Sequence, residues 1–102
     1  MKLMTKAILN KIPKLYDQDG KGDEAIAHVK FFNPCGAGTW YATEFDGKDI
    51  FFGLTTGLDY APELGYFSLS EFQGYKGPLG IGIERDLHFK PKTLKEIKDR
   101  LN

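Results

Sequence analysis

The sequence predicts an α+β fold: a small antiparallel sheet of four to five strands, with an N-terminal and a C-terminal helix packed on one side. Three observations predict it. Helix-spaced apolar stripes with capping residues mark the two ends of the chain, and the middle alternates in steps of two. The strand-like runs are also joined by short Gly-, Asp- and Asn-bearing turns, which suit hairpins and not the long crossovers of parallel strands.

In chain order, Thr5 precedes Lys6-Ala-Ile-Leu-Asn-Lys-Ile12, where Ile8, Leu9 and Ile12 keep helical spacing and the Thr5 hydroxyl can cap free N–H groups. Pro13 disfavours helical angles at Ile12 and ends this short helix. Residues 16–23, rich in Asp and Gly, read as a loop. Residues 25–32 then alternate, with Ala27, Val29 and Phe31 on one face and His28 and Lys30 on the other, which predicts a half-buried strand. The run Asn33-Pro-Cys-Gly-Ala-Gly38 breaks it, because proline lacks a donor and glycine permits unusual angles. Residues 39–45 are dense in strand formers, Asp46-Gly47 signals a hairpin, and residues 49–55 return with Phe51 and Phe52.

Residues 57–63 form a loop with Pro62, and residues 64–68 a fourth strand. Ser68-Leu-Ser-Glu71 has the capping-box pattern, in which serine and glutamate satisfy each other's free N–H groups, and predicts a helical turn through Phe72 that ends at Gly74. Residues 73–82, with four glycines and Pro78, predict an irregular loop, and residues 84–89 return to strand character. Thr93-Leu-Lys-Glu96 is a second capping box, opening a helix with Leu94, Ile97 and Leu101 in a stripe.

With 102 residues, 41% of them apolar, the chain 1–102 is expected to form one domain, its core filled by one Trp, five Tyr and eight Phe. Cys35 is the single cysteine and has no internal partner, which fits a reducing cytoplasm. Residues 1–13 lack the apolar run of a signal peptide, and no stretch approaches the roughly 18 apolar residues of a membrane span. A soluble, cytoplasmic protein without membrane contact is expected.

Charge is balanced in sum and uneven in place. Residues 1–14 hold four lysines and no acid, residues 90–102 hold five bases and two acids, and residues 15–89 hold five bases and 12 acids. The body is therefore acidic, at a formal −7. Such a body attracts basic protein surfaces and repels phosphate backbones, whereas basic ends do the reverse. The plain account of both is a solvated surface. Read functionally, the acids that meet a partner are Glu44, Asp46, Asp49, Asp59, Glu63, Glu84 and Asp86. The bases that would hold nucleic acid instead are Lys2, Lys6, Lys11, Lys14, Lys92, Lys95, Lys98 and Arg100.

His28, Cys35 and His88 are the only soft or imidazole ligands, and with one carboxylate they could hold zinc, although their spacing matches no dedicated motif. The same three residues admit a thiol–imidazole nucleophile pair. Glu84, Asp86 and His88 share one face of a regular strand, and Arg85 falls on the other, where it needs a partner such as Glu44. Gly77-Pro-Leu-Gly-Ile-Gly82 lacks the helix and the lysine–serine pair of nucleotide-binding loops. The aromatics read as core. No complete catalytic motif emerges, so a non-enzymatic protein without a cofactor is expected, with zinc as the alternative.

The strings Val29-Lys-Phe-Phe32, Thr39-Trp-Tyr-Ala-Thr-Glu44, Leu64-Gly-Tyr-Phe-Ser-Leu-Ser-Glu71 and Gly77-Pro-Leu-Gly-Ile-Gly-Ile-Glu-Arg-Asp-Leu-His-Phe-Lys-Pro91 resemble a domain-of-unknown-function family of small proteins. That family is encoded mainly on plasmids, integrative elements and phages of bacteria. The resemblance implies no catalytic residue. It implies a setting in which small cytoplasmic proteins handle the element's DNA or block host restriction and CRISPR nucleases. The expected function is thus a protein-binding factor of a mobile element, an inhibitor covering a nuclease's nucleic-acid surface. The alternatives are a nucleic-acid-binding accessory protein and a zinc protein or enzyme centred on His28, Cys35 and His88.

Overall fold

The end signals in the sequence are all used. Thr5 Oγ1 accepts from the Ile8 N–H at 3.2 Å, Ser68 Oγ accepts from Glu71, and Thr93 and Glu96 bond each other reciprocally, backbone N–H to side chain, at 3.2 Å in both directions. A computed structural model describes residues 2–101. In chain order they form α1 (Lys6–Lys11), β1 (Ile26–Ala27), β2 (Val29–Phe32), β3 (Thr39–Phe45), β4 (Ile50–Thr56), β5 (Glu63–Ser68), α2 (Leu69–Gly74), β6 (Glu84–Arg85), β7 (Lys92–Thr93) and α3 (Leu94–Leu101). Five strands make an antiparallel sheet in the order β5-β4-β3-β2-β6, and β1 pairs with β7 in a second, two-stranded sheet. The class is α+β, with helices at both ends. Among the described residues no helix is long and apolar enough to cross a membrane.

Two predicted strands differ from expectation. Residues 25–32 divide at His28: β2 stays in the large sheet, while β1 leaves it to pair with β7. Ala27 consequently joins a different core from Val29 and Phe31. Residues 84–89 shorten to the two residues of β6, because Asp86 Oδ1 accepts from the His88 N–H at 2.9 Å and bends the chain out of the ladder.

The sheet buries both faces. On the first, the register aligns Phe45, Phe51 and Phe67, and these pack with Val29, Phe31 and Trp40. Ile8 and Ile12 from α1 and its end, with Leu69 and Phe72 from α2, close this face; Phe31 and Phe72 centroids lie 5.2 Å apart and Phe45 and Phe51 4.4 Å. On the second face, Tyr41 and Leu54 are covered by Leu94 and Ile97 of α3 and by Ala25 and Ala27. The terminal helices therefore divide between the two faces and do not share one. The reason is local: the central strands place apolar side chains up and down alternately, so each face needs its own cover.

Candidate functional site

Regular alternation along β3 would put Glu44 on the face of Trp40 and Ala42, inside the aromatic core. A β-bulge prevents this. Ala42 pairs with Gly53, but Glu44 and Phe45 pair with Phe52 and Phe51, so Thr43 is one residue too many. The extra residue flips the pattern, sending Phe45 into the first core and Glu44 to the second face opposite Phe52. Gly53 is required beside it, since a Cβ there would run into the Tyr41 carbonyl.

The bulge is held by a side chain from the loop after α1. Gln18 Nε2 donates to the Thr43 carbonyl at 2.8 Å and to the Ile26 carbonyl at 2.9 Å, and Gln18 Oε1 accepts from the Ile26 N–H at 2.7 Å. One buried amide thus satisfies both the bulge and β1. Glu44, 4% exposed, completes the fastening: Oε1 accepts from the Tyr16 N–H and Oε2 from the Gln18 N–H, both at 2.8 Å. Tyr16 takes a left-handed conformation, φ 73°. For a residue with a Cβ this costs about 1–2 kcal/mol, which the bonds to Glu44 offset.

These contacts leave a half-open cavity of about 520 Å³ on the second face. Its walls include Tyr16, Phe52, Leu64 and Tyr66, with Asp19 and Glu44 among its polar lining. Tyr16 is 68% exposed and Tyr66 58%. Phe52 and Tyr66 meet edge to face at 5.1 Å. The Tyr66 phenol is pushed above its ordinary value, first by a hydrogen bond with the Tyr16 hydroxyl, then by desolvation and by the nearby carboxylates of Glu44 and Asp19. The cavity is electronegative. Among the described residues no ion pair includes Glu44, and each of its oxygens keeps a lone pair for a further donor. Aromatic faces around a buried carboxylate suit an organic cation.

A second cavity of about 570 Å³ opens on the first face, lined by Trp40, Phe67, Phe72 and Tyr75 with Asn33 and Glu71. Asn33 Nδ2 donates to the Tyr75 hydroxyl at 3.3 Å. Its walls are chiefly aromatic.

The acids singled out from the sequence do not form one surface. Glu44 is buried as described. Asp46 Oδ1 accepts from the N–H groups of Lys48, Asp49 and Ile50 and shapes the β3–β4 turn. Asp49 accepts from the Ser70 N–H at 2.7 Å and from the Ser68 hydroxyl at 2.9 Å, bracing the start of α2. These bonds hold both carboxyls below their ordinary value. Asp59 lies exposed before β5 and Glu63 exposed at its start, whereas Glu84 and Asp86 lie by β6 at the opposite edge of the sheet, where Asp86 meets Lys30 at 3.7 Å.

The basic set is divided too. Lys2, Lys6, Lys11 and Lys14 belong to the end that packs on the first face, and Lys92, Lys95, Lys98 and Arg100 to the end that packs on the second. Lys98 pairs with Asp23 at 2.7 Å, Lys95 with Asp99 at 3.1 Å, and Lys92 lies over the Phe89 ring. Arg85 donates from Nε and Nη2 to the Lys2 carbonyl, while the expected partner Glu44 is engaged with the loop. Of the candidate metal ligands, His28 is half-buried, with burial holding its imidazole below the ordinary value, and Cys35 and His88 are exposed. Among the described residues no three His, Cys, Asp or Glu side chains converge as a metal site, so this trio is not brought together.

Residues 3–97 match a family described as protein of unknown function (DUF2958). The chain belongs to that family. No curated protein and no solved structure matches it. The region shared with the DUF2958 family contains every residue of the Glu44 cavity.

Sequence reading missed Tyr16, Gln18 and Asp19 because they sit in a segment that reads as plain loop. A signal was present: a tyrosine and a glutamine among Asp and Gly are more than a polar connector needs. Leu64 and Tyr66 were missed for another reason, since alternation in a strand does not say which face stays open.

Proposed function

We propose that the protein is a non-enzymatic binding protein that docks on a basic protein surface, taking a lysine or arginine side chain into the Glu44 cavity. The observation that carries this is the buried Glu44 carboxylate, without an ion-pair partner among the described residues, in a cavity walled by Tyr16, Phe52 and Tyr66. A cation there gains a charge-assisted bond and aromatic faces, together on the order of 2–4 kcal/mol, enough to anchor an interface whose remaining contacts are weak. The acidic body of the chain favours the same partner at longer range.

Dense basic surfaces are what enzymes use to hold nucleic acid. In the mobile-element setting that the resemblance implies, a host nuclease of the CRISPR or restriction type is the partner to try first, its DNA loading blocked by the bound protein. DNA cleavage by such nucleases, assayed with and without the protein, tests this. The native chain is expected to inhibit, and exposed Asp19→Lys, which reverses charge at the cavity, to inhibit much less. Equal inhibition by both proteins removes the cavity from the interface. Steeply salt-dependent binding to DNA by the chain itself would instead favour the nucleic-acid reading.

A further inference from the structure

The two edges of the large sheet are built differently. β6 is two residues long, Glu84 and Arg85, and Asp86 ends it with a turn. Short, charged edges discourage strand pairing. β5 runs for six residues, pairs with β4 in unbroken register, and contains no proline, lysine or bulge. It is an outer strand, so alternate residues along it turn their N–H and C=O groups away from the sheet. Both cavities border this edge. Leu64 and Tyr66 line the Glu44 cavity on the second face, and Phe67 and Ser68 line the Trp40–Tyr75 cavity on the first.

We infer that β5 receives an extended segment of the partner protein as an added strand, with alternate side chains entering the two cavities. This rests on the protein-binding reading above and specifies the partner's feature. Strand addition works by division of labour: main-chain bonds supply affinity and side-chain pockets supply specificity. Side chains on successive residues of the added strand point to opposite faces. Those directed to the second face enter beside Leu64 and Tyr66, toward the cavity whose lining carries the acids Asp19 and Glu44, which favours lysine or arginine. Those directed to the first meet Phe67, Trp40 and Tyr75, which favours apolar or aromatic residues. The segment recognised therefore alternates basic and apolar residues.

The probe is a labelled peptide of about eight residues alternating lysine with valine, titrated into the full chain and read by fluorescence anisotropy. Two derivatives are N-methylated on alternate peptide nitrogens, in the two complementary sets. Only one set can face β5, so one derivative is expected to lose about ten-fold or more in affinity, equivalent to one or two net hydrogen bonds, and the other to bind as the parent does. A serine-for-lysine peptide is expected to bind far more weakly. Equal binding by the parent and both methylated derivatives overturns strand addition and leaves the cation-accepting cavity standing. Absence of binding by every peptide overturns both readings. A stable dimer in light scattering that Leu64→Lys dissociates assigns the edge to a second copy of the chain and overturns the inference.

Discussion

The two faces of the sheet are both buried at their centres, yet they are finished differently. On the first face the aromatic rings of Phe31, Phe45, Phe51 and Phe72 pack against one another under α1 and α2. On the second, α3 covers Tyr41 and Leu54, and the loop after α1 is tied down at Glu44; between these covers Phe52, Leu64 and Tyr66 border open space. The contrast separates two settings for the same residue types: the rings of the first face are packed into one another out of water, whereas Tyr16, Phe52 and Tyr66 stand beside the buried Glu44 carboxylate at the border of an open cavity.

The largest test of this contrast sets one ring from each face against the other. Phe31→Ala is expected to cost about 3–5 kcal/mol in denaturant unfolding, as for other fully buried phenylalanines. Tyr66→Ala, on an exposed residue, is expected to stay within about 0.5 kcal/mol. Comparable losses would break the distinction between a structural and a binding face.

Gln18→Ala comes next. It strips bonds from the Thr43 carbonyl and from both backbone groups of Ile26, and is expected to cost about 2–3 kcal/mol because these groups become unsatisfied where water enters poorly. The same measurement on Gln18→Glu sharpens it: a carboxylate retains the bond from the Ile26 N–H but cannot donate to either carbonyl. A loss below about 1 kcal/mol for both variants would mean that the bulge stands without this clamp.

Tyr16→Gly is expected to act in the opposite direction, leaving stability unchanged or raising it by up to about 1 kcal/mol, since glycine relieves the left-handed strain. Its binding of the lysine–valine peptide is expected to fall. Stability lost together with binding would make Tyr16 a structural residue.

The smallest effect concerns acid. Asp46 and Asp49 have carboxyls depressed below their ordinary value by bonds to the β3–β4 turn and the start of α2. A depressed folded-state value means support that is present above the unfolded-state value of about 3.9 and is lost as pH falls through the lower folded-state value. Protection of the turn and α2 amides in native-state hydrogen exchange, taken relative to their intrinsic rates at each pH, is expected to fall in that acid window, and the change to be absent in the Asp49→Asn variant at α2.

Much of the architecture was legible in the residues because its signals are local. Thr5, Ser68 and Thr93 bond N–H groups three residues on, and Asp46-Gly47 closes the β3–β4 hairpin with φ 89° at Gly47. The site was not legible in the same way. Glu44 reads as one more acid in an alternating strand, and only the pairing of β3 with β4 reveals the extra residue that turns it away from the core. Its partners, Tyr16 and Gln18, lie 28 and 26 residues away in a segment that looks like a connector.

By itself, then, the sequence determined the class, the order of the helices and of the strands of the large sheet, and the helix caps, but not the small β1–β7 sheet, because hydrophobic period and capping act over three or four residues. Tertiary structure decided which helix covers which face, where β2 and β6 are cut short, and that Glu44, Tyr16 and Tyr66 share a cavity. Those outcomes depend on strand register and on backbone groups that must find partners far along the chain, and a one-residue bulge is enough to reverse them.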